Sequence, residues 1–278
     1  MTATLYIVSC PIGNAHDITL RALSILQAVD VIAAEDTRHT RQLLNAHQID
    51  AGDRLVSCHE HNETAKVPVF MEMLHQGRSI ALVTDAGTPS VSDPGFPLIR
   101  EASASHIPVV PVPGASAAIT ALSASGMPTD AFLFAGFLPK KQGQRHERLS
   151  MLADEPATLV MYESPRRLEA LLEAILQVMG DRPAVVCREM TKPYEEFIRG
   201  AVSEILHTLR KRNAIKGEIT LVIGGATGVK PALPTANLQK AVDASTSSAS
   251  ELAKVLAAAT GLPRRDIYDD ILRIKKMG

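Results

Sequence analysis

The chemistry of this chain is densest in one turn, Asp85–Gly95, which reads DAGTPSVSDPG. Its glycines permit positive φ and let backbone approach a ligand closely. Thr88, Ser90 and Ser92 add hydroxyls, and Asp85 and Asp93 add carboxylates. Between Thr84 and Ile99 there is no Lys or Arg, whereas a phosphate cradle sets a cation beside its backbone N–H groups. An acidic, glycine-rich turn without a cation suits a ligand with a positive centre and with sugar hydroxyls that donate to carboxylates. S-adenosylmethionine has both, in its sulfonium and its ribose. The competing reading is a tight loop whose aspartates cap helices.

Four more polar or glycine-rich segments each follow a strand-like run: Cys10–Asn14, Glu35–Arg38, Cys58–Glu63 and Pro113–Ala117. In an open α/β sheet, ligands bind outside the carboxyl ends of the strands, so all five turns are expected on one edge. Two other segments are set aside. Gly224–Gly228 follows a strand-like run, but Pro231 and Pro234 deny it the helix that a dinucleotide loop needs, and it reads as a strand exit. Cys58, His59 and His61 have no second pair at zinc-finger spacing, so no metal is expected.

The elements that position these turns are legible as periodicity. Strand-like runs at Leu5–Val8, Val31–Ala34, Leu55–Ser57, Ile80–Thr84 and Val109–Val112 are rich in Val, Ile and Leu, as in strands covered on both faces. Between the first two, Ile18, Ala22, Ile25, Leu26 and Val29 form a helical stripe with Asp17 or Thr19 as cap. The alternation repeats less regularly through Phe132–Ala135, Thr158–Tyr162, Ala184–Cys187, Glu196–Arg199 and Ile219–Ile223. A helix starts at Ser164, with Pro165 in its first turn, and ends near Gly180. Asp243–Ser250 reads as a linker or loose helix, and helices at 251–259 and 266–275 flank Gly261-Leu262-Pro263 as a hairpin. The fold class is α/β: two domains with mostly parallel sheets, 1–113 and 114–228, then a helical extension over 235–278.

The bulk properties fit. The chain has 278 residues, 46% hydrophobic and 21% charged, enough for two cores. No apolar run nears the roughly 20 residues of a membrane span, and without a basic segment followed by a long apolar stretch no signal peptide is expected. Three widely spaced cysteines give no disulfide framework and fit a reducing cytoplasm. The net charge of -1 leaves RNA binding to local patches. One holds Lys140, Lys141, Arg145 and Arg148. The other gathers Arg264, Arg265, Arg273, Lys275 and Lys276, diluted by Asp266, Asp269 and Asp270. Each is also readable as a solvated face.

The segments CPIGNAHDITLRAL, AEDTRHTRQLL, SCHEHNE, DAGTPSVSDPG, PVPGASAAITALSASG and YESPRRL resemble the tetrapyrrole-methylase-type family of S-adenosylmethionine enzymes, and within it the branch that modifies ribosomal RNA. The resemblance runs from about Leu5 to Gly225, with a matching C-terminal hairpin. It implies two α/β domains, the cofactor in the cleft between them, a homodimer, and 2'-O-methylation of a cytidine in the decoding region of 16S rRNA. Where the wider family has Gly-Asp-Pro after the fourth strand, this chain has Gly87-Thr88-Pro89, which leaves Asp85 or Asp93 to supply the carboxylate. By position the resemblance also places Pro11, Gly13, Ser90, Val91, Ser116, Ala117, Tyr162 and Thr220 on the cofactor.

A ribose hydroxyl is a weak acid, so a base or nearby cation helps its methylation. The strand-end candidates are Glu60, Glu163 and Arg188 with Lys192. Glu163 is favoured as base or orienter, against a carboxylate that only complements the helix dipole at Ser164–Arg166. Arg188 and Lys192 are assigned to RNA phosphate. Arg38 and Arg41 are RNA contacts or partners of Glu35 and Asp36. Three rival functions remain: a related methyltransferase of tetrapyrroles or modified amino acids, a nucleotide-dependent oxidoreductase, and a non-catalytic RNA-binding module. The missing G-x-G-x-x-G counts against the second. The absence of Trp and 4% aromatics count against the third.

Overall fold

The structure is a computed structural model that describes residues 3–227, 235–245, 247–260 and 264–277. Gly228, Pro231, Pro234 and Gly261–Pro263 lie outside the described residues. The chain forms two compact units. The first comprises 1–153 and 157–225, and the second comprises 154–156 and 226–278.

The first unit holds both sheets. Strands β1 (Leu5–Val8), β2 (Val31–Ala34), β3 (Leu55–Ser57), β4 (Ile80–Val83) and β5 (Val109–Val112) pair in the order β3-β2-β4-β1-β5. All four pairings are parallel. Helices α1 (Leu20–Ala28), α2 (Thr37–Ala46), α3 (Glu63–His75) and α4 (Phe96–Ala104) make the crossovers. Every residue of β2 and β4 is buried, which explains their unbroken apolar runs. Of the two proposed caps for α1, Thr19 does the work, its hydroxyl accepting from Ala22 N.

The second sheet combines β6 (Phe132–Phe137), β7 (Thr158–Glu163), β8 (Pro183–Arg188), β9 (Glu196–Ala201) and β10 (Ile219–Ile223) in the order β6-β7-β10-β8-β9. All ten expected strands are present, but the expectation of mostly parallel sheets holds only for the first. Here β6 and β7 alone are parallel, and β10 runs against both its neighbours. The physical reason lies in Glu189–Glu195. This link is shorter than the dozen or so residues a crossover needs, so β8 and β9 form an antiparallel hairpin.

Helix α5 (Ala117–Ser125) joins the two lobes. Its Ala118, Ala121 and Leu122 pack with Ile12 against Val160, Val185, Cys187 and Val222 of the second sheet. Full burial of a Leu-sized side chain contributes roughly 1.5–3 kcal/mol, so this shared core couples the lobes. The remaining helices of the unit are α6 (Gln142–Met151), α7 (Pro165–Met179) and α8 (Val202–Arg210). As expected, α7 follows Ser164 and stops at Gly180, whose φ is 81°.

Among its described residues the second unit has three helices, α9 (Thr235–Ala244), α10 (Ala249–Thr260) and α11 (Arg264–Met277), where two helices after a linker or loose helix were expected. Leu238, Leu252, Ala253, Ile267 and Ile271 form its core. The three cysteines are free and buried. Among the described residues, no helix is long and apolar enough to cross a membrane.

Candidate active site between the two sheets

At the carboxyl edge of the first sheet, three turns are stitched together. Cys10 N donates to Gly87 O at 2.8 Å, and Gly87 N returns a bond to Cys10 O at 3.0 Å. The Ser9 and Thr88 hydroxyls lie 3.0 Å apart, and Thr88 Oγ1 donates to Ala115 O at 3.4 Å. Gly114 has no room for a side chain, because a Cβ there would stand 2.9 Å from Ser9 Cβ. Glu63, from the third turn, accepts from Gly95 N at 2.7 Å.

Backbone strain gathers here. Among the described residues, six non-glycines have positive φ, and four of them flank the cleft: Ser90, Ser92, Glu189 and Thr191. Such residues cost about 1–3 kcal/mol each and persist where surrounding contacts over-determine them. Thr191 Oγ1 accepts from Asn14 N at 3.1 Å, tying the first turn to the β8–β9 hairpin.

Between the lobes lies a cavity of about 360 Å³. One wall comprises Gly87, Thr88, Val91, Asp93, Ser116 and Ala117, and the other Phe137, Tyr162, Glu163, Met190 and Thr220. Among the described residues no Lys or Arg lines it. Burial pushes the Asp93 carboxyl up to about 7, helped by the negative charges of Glu35 and Asp85. A cation beside Asp93 would offset that cost, so the donor set fits a positively charged ligand with hydroxyls.

On the facing wall, the Tyr162 hydroxyl accepts from Ala118 N at 3.2 Å, at the start of α5. Phe134 and Phe137 meet its ring edge-on. Glu163 is buried, takes a bond from Ser164 N at 2.7 Å and faces Arg167 at 3.0 Å.

A second cavity of about 340 Å³ adjoins the first and shares Ile12, Ala86 and Glu218 with it. Pro11, Gly13, Asp85 and Lys192 line this one, with His39 and Gln42. Lys192 sits between Glu189 at 2.9 Å and Glu218 at 3.1 Å.

The structure therefore spreads the residues selected from sequence over several places. Gly87, Thr88, Val91, Asp93, Ser116, Ala117, Tyr162, Thr220 and Glu163 share the first cavity. Pro11, Gly13, Asp85 and Lys192 share the second. Ser90, Glu60 and Arg188 line neither. Glu60 is exposed, and Arg188 is held by Glu196 at 3.0 Å. Arg38 is exposed and paired with Asp36 at 2.7 Å, and Arg41 is also exposed. Lys140 and Lys141 are exposed, but Arg145 is buried. Within the second unit, exposed Arg264 donates to Ser250 Oγ at 2.8 Å. The side chain of Arg265 lies outside the described residues.

Phe137, Met190, Glu218 and His39 were not selected. Phe137 ends β6, so the strand-end rule could have found it. Glu218 precedes β10, and because β10 runs antiparallel its beginning meets the ends of β7 and β8. Reading only strand exits misses such a residue.

A family model, Tetrapyrrole (Corrin/Porphyrin) Methylases, matches residues 4–206. The chain belongs to this family. A relative from Micromonospora olivasterospora named ribosomal RNA small subunit methyltransferase I is 42% identical, over 97% of this chain and 87% of its own. One of the same name from Halalkalibacterium halodurans is 44% identical, over 96% of this chain and 93% of its own. The X-ray structure of a cobalamin biosynthetic enzyme, cobalt precorrin-4 methyltransferase, aligns with a TM-score of 0.59 at 19% identity, covering 80% of this chain and 95% of that one. At that identity the likeness shows the fold: the tetrapyrrole methylases share this pair of α/β lobes.

Proposed function

We propose that this chain is an S-adenosylmethionine-dependent methyltransferase of small-subunit ribosomal RNA, which methylates the ribose 2'-hydroxyl of a cytidine in the decoding region of 16S rRNA. The observation that carries the reading is the cavity between the lobes, lined by no Lys or Arg among the described residues and with Asp93 on its wall. Full-length likeness to relatives named for the small subunit supports the RNA substrate over a tetrapyrrole.

S-adenosylmethionine supplies a methyl group already activated on a sulfonium. The residues of the chain have to bind, orient and exclude water. Asp93 balances positive charge, the Thr88 and Ser116 hydroxyls meet polar groups, and Phe137, Tyr162 and Met190 give an apolar wall. Glu163, fixed by Arg167, orients that wall. Alignment of donor and acceptor can supply roughly 7–11 kcal/mol in favourable cases. Lys140 and Lys141, with Arg38, Arg41 and Arg264, offer exposed charge to RNA phosphate. The chain works in the cytoplasm as a homodimer, for which exposed Phe96, Ile119 and Phe132 offer apolar surface.

The test is transfer of labelled methyl from S-adenosylmethionine to small subunits from cells lacking the protein, mapped by mass spectrometry of nuclease fragments. One labelled cytidine ribose is expected. Label on a base, or none, contradicts the reading.

A further inference from the structure

The second cavity is built differently from the first. One face of α2 lines it, through His39, Gln42, Leu43 and Ala46, the i, i+3, i+4, i+7 spacing of a helix stripe. Lys192 crosses opposite, over Gly13, where any Cβ would stand 2.5 Å from Lys192 Cγ. The two cavities adjoin at the residues they share, Ile12, Ala86 and Glu218. A methyl donor in the first therefore has its neighbour in the second.

The His39 imidazole is accessible to solvent and turns Nδ1 toward Asp85 Oδ1, 3.9 Å away. At that distance the contact is ionic, and a carboxylate so placed stabilises the cation formed when the ring takes a proton. Asp85 is itself fixed, accepting from Asp36 N and donating its own N–H to Glu35.

We infer that the second cavity seats the sugar of the acceptor nucleotide and that His39, backed by Asp85, takes the proton from its hydroxyl. This rests on the methyltransferase reading above. In the step, the hydroxyl oxygen forms a bond to the methyl carbon as the carbon–sulfur bond breaks and its electron pair stays on sulfur. The hydroxyl proton passes to His39 Nε2. The products are a methyl ether, S-adenosylhomocysteine and an imidazolium that returns its proton to water. Lys192 lies where a sugar phosphate would meet a cation. The charged groups around His39 are Asp85 and Glu35 on one side, Lys192 and Glu218 across the cavity, and the Arg38–Asp36 pair on its own helix.

Two variants and a binding measurement test this. With saturating donor and small subunits, His39→Gln lowers the single-turnover rate by about 10²–10⁴-fold, with its calorimetric affinity for S-adenosylmethionine unchanged. Gln42→Trp, which fills the cavity from an exposed position, also loses turnover while binding the donor normally. In spectra of the parent saturated with S-adenosylhomocysteine, cytidine 5'-monophosphate shifts the His39 and Gln42 amides and leaves Thr88 unmoved. Parent-like turnover in His39→Gln, or shifts absent from α2, overturns the inference and spares the wider reading. A parent that neither binds the donor nor methylates subunits overturns both.

Discussion

Arg167 Nη2 stands 3.0 Å from Oε2 of Glu163, a carboxylate whose side chain is sealed from solvent. The same guanidinium donates to Leu138 O at 2.7 Å, so one arginine ties the end of β7 to the strand exit beside it. A carboxylate held this way is a structural member of the wall before it is a base. Glu163→Gln is expected to cost roughly 1–3 kcal/mol of stability through the weakened pair, read by denaturant unfolding, and to keep most of the single-turnover rate. Unchanged stability with a lost chemical step would restore Glu163 as the base.

Asp93 gives a pH dependence whose sign is fixed. Folded, it holds its proton to about pH 7, against a usual value of 3.8. Its contribution to stability is therefore complete below the unfolded value and is lost as pH rises through about 7. Asp93→Asn lacks that loss, so its stability relative to the parent improves from about pH 4 up to about pH 7 and then levels off. A bound sulfonium favours the ionised form, so donor affinity in the parent rises over the same range with release of a proton. Calorimetry in two buffers of different ionisation enthalpy measures it.

Tyr162 reaches from the second sheet to the first turn of α5. Tyr162→Phe keeps the ring contacts with Phe134 and Phe137 but leaves the Ala118 N–H without its acceptor. The expected cost is about 1 kcal/mol, with weaker donor binding, because Ser116 and Ala117 beside that bond line the cavity. Thermal unfolding with and without donor separates the two effects.

The exposed Lys140 and Lys141 ahead of α6 offer a test of the RNA reading. Lys140→Glu with Lys141→Glu should weaken subunit binding and flatten its dependence on salt, by a slope of about 0.7–0.9 per lost phosphate contact, with donor affinity intact. Arg145 does not belong to this surface. It is buried four residues before buried Leu149, on the same face of α6.

That spacing was visible in the sequence, as was much else. Most of the ten strands showed because strands such as β2, β4 and β10 are buried and need unbroken apolar runs, and the turns of the first sheet showed because parallel strands deliver their ends to one edge. The direction of β10 did not show, since apolar periodicity is blind to strand polarity, and Glu218 was missed with it. Helix α9 was missed because Pro231 and Pro234 drew attention away from the amphipathic stretch that follows. His39 was less legible than the flanking Arg38 and Arg41, because the carboxylate 3.9 Å from its ring, Asp85, is far away in sequence.

The central claim is that the cavity between the sheets holds the methyl donor, and calorimetric titration of S-adenosylmethionine tests it most directly. Saturable binding of one donor per chain is expected for the parent. Thr88→Trp, which fills the cavity from its first-sheet wall, should abolish it in a protein that unfolds cooperatively. No heat from the folded parent, or undiminished binding in Thr88→Trp, would contradict the claim.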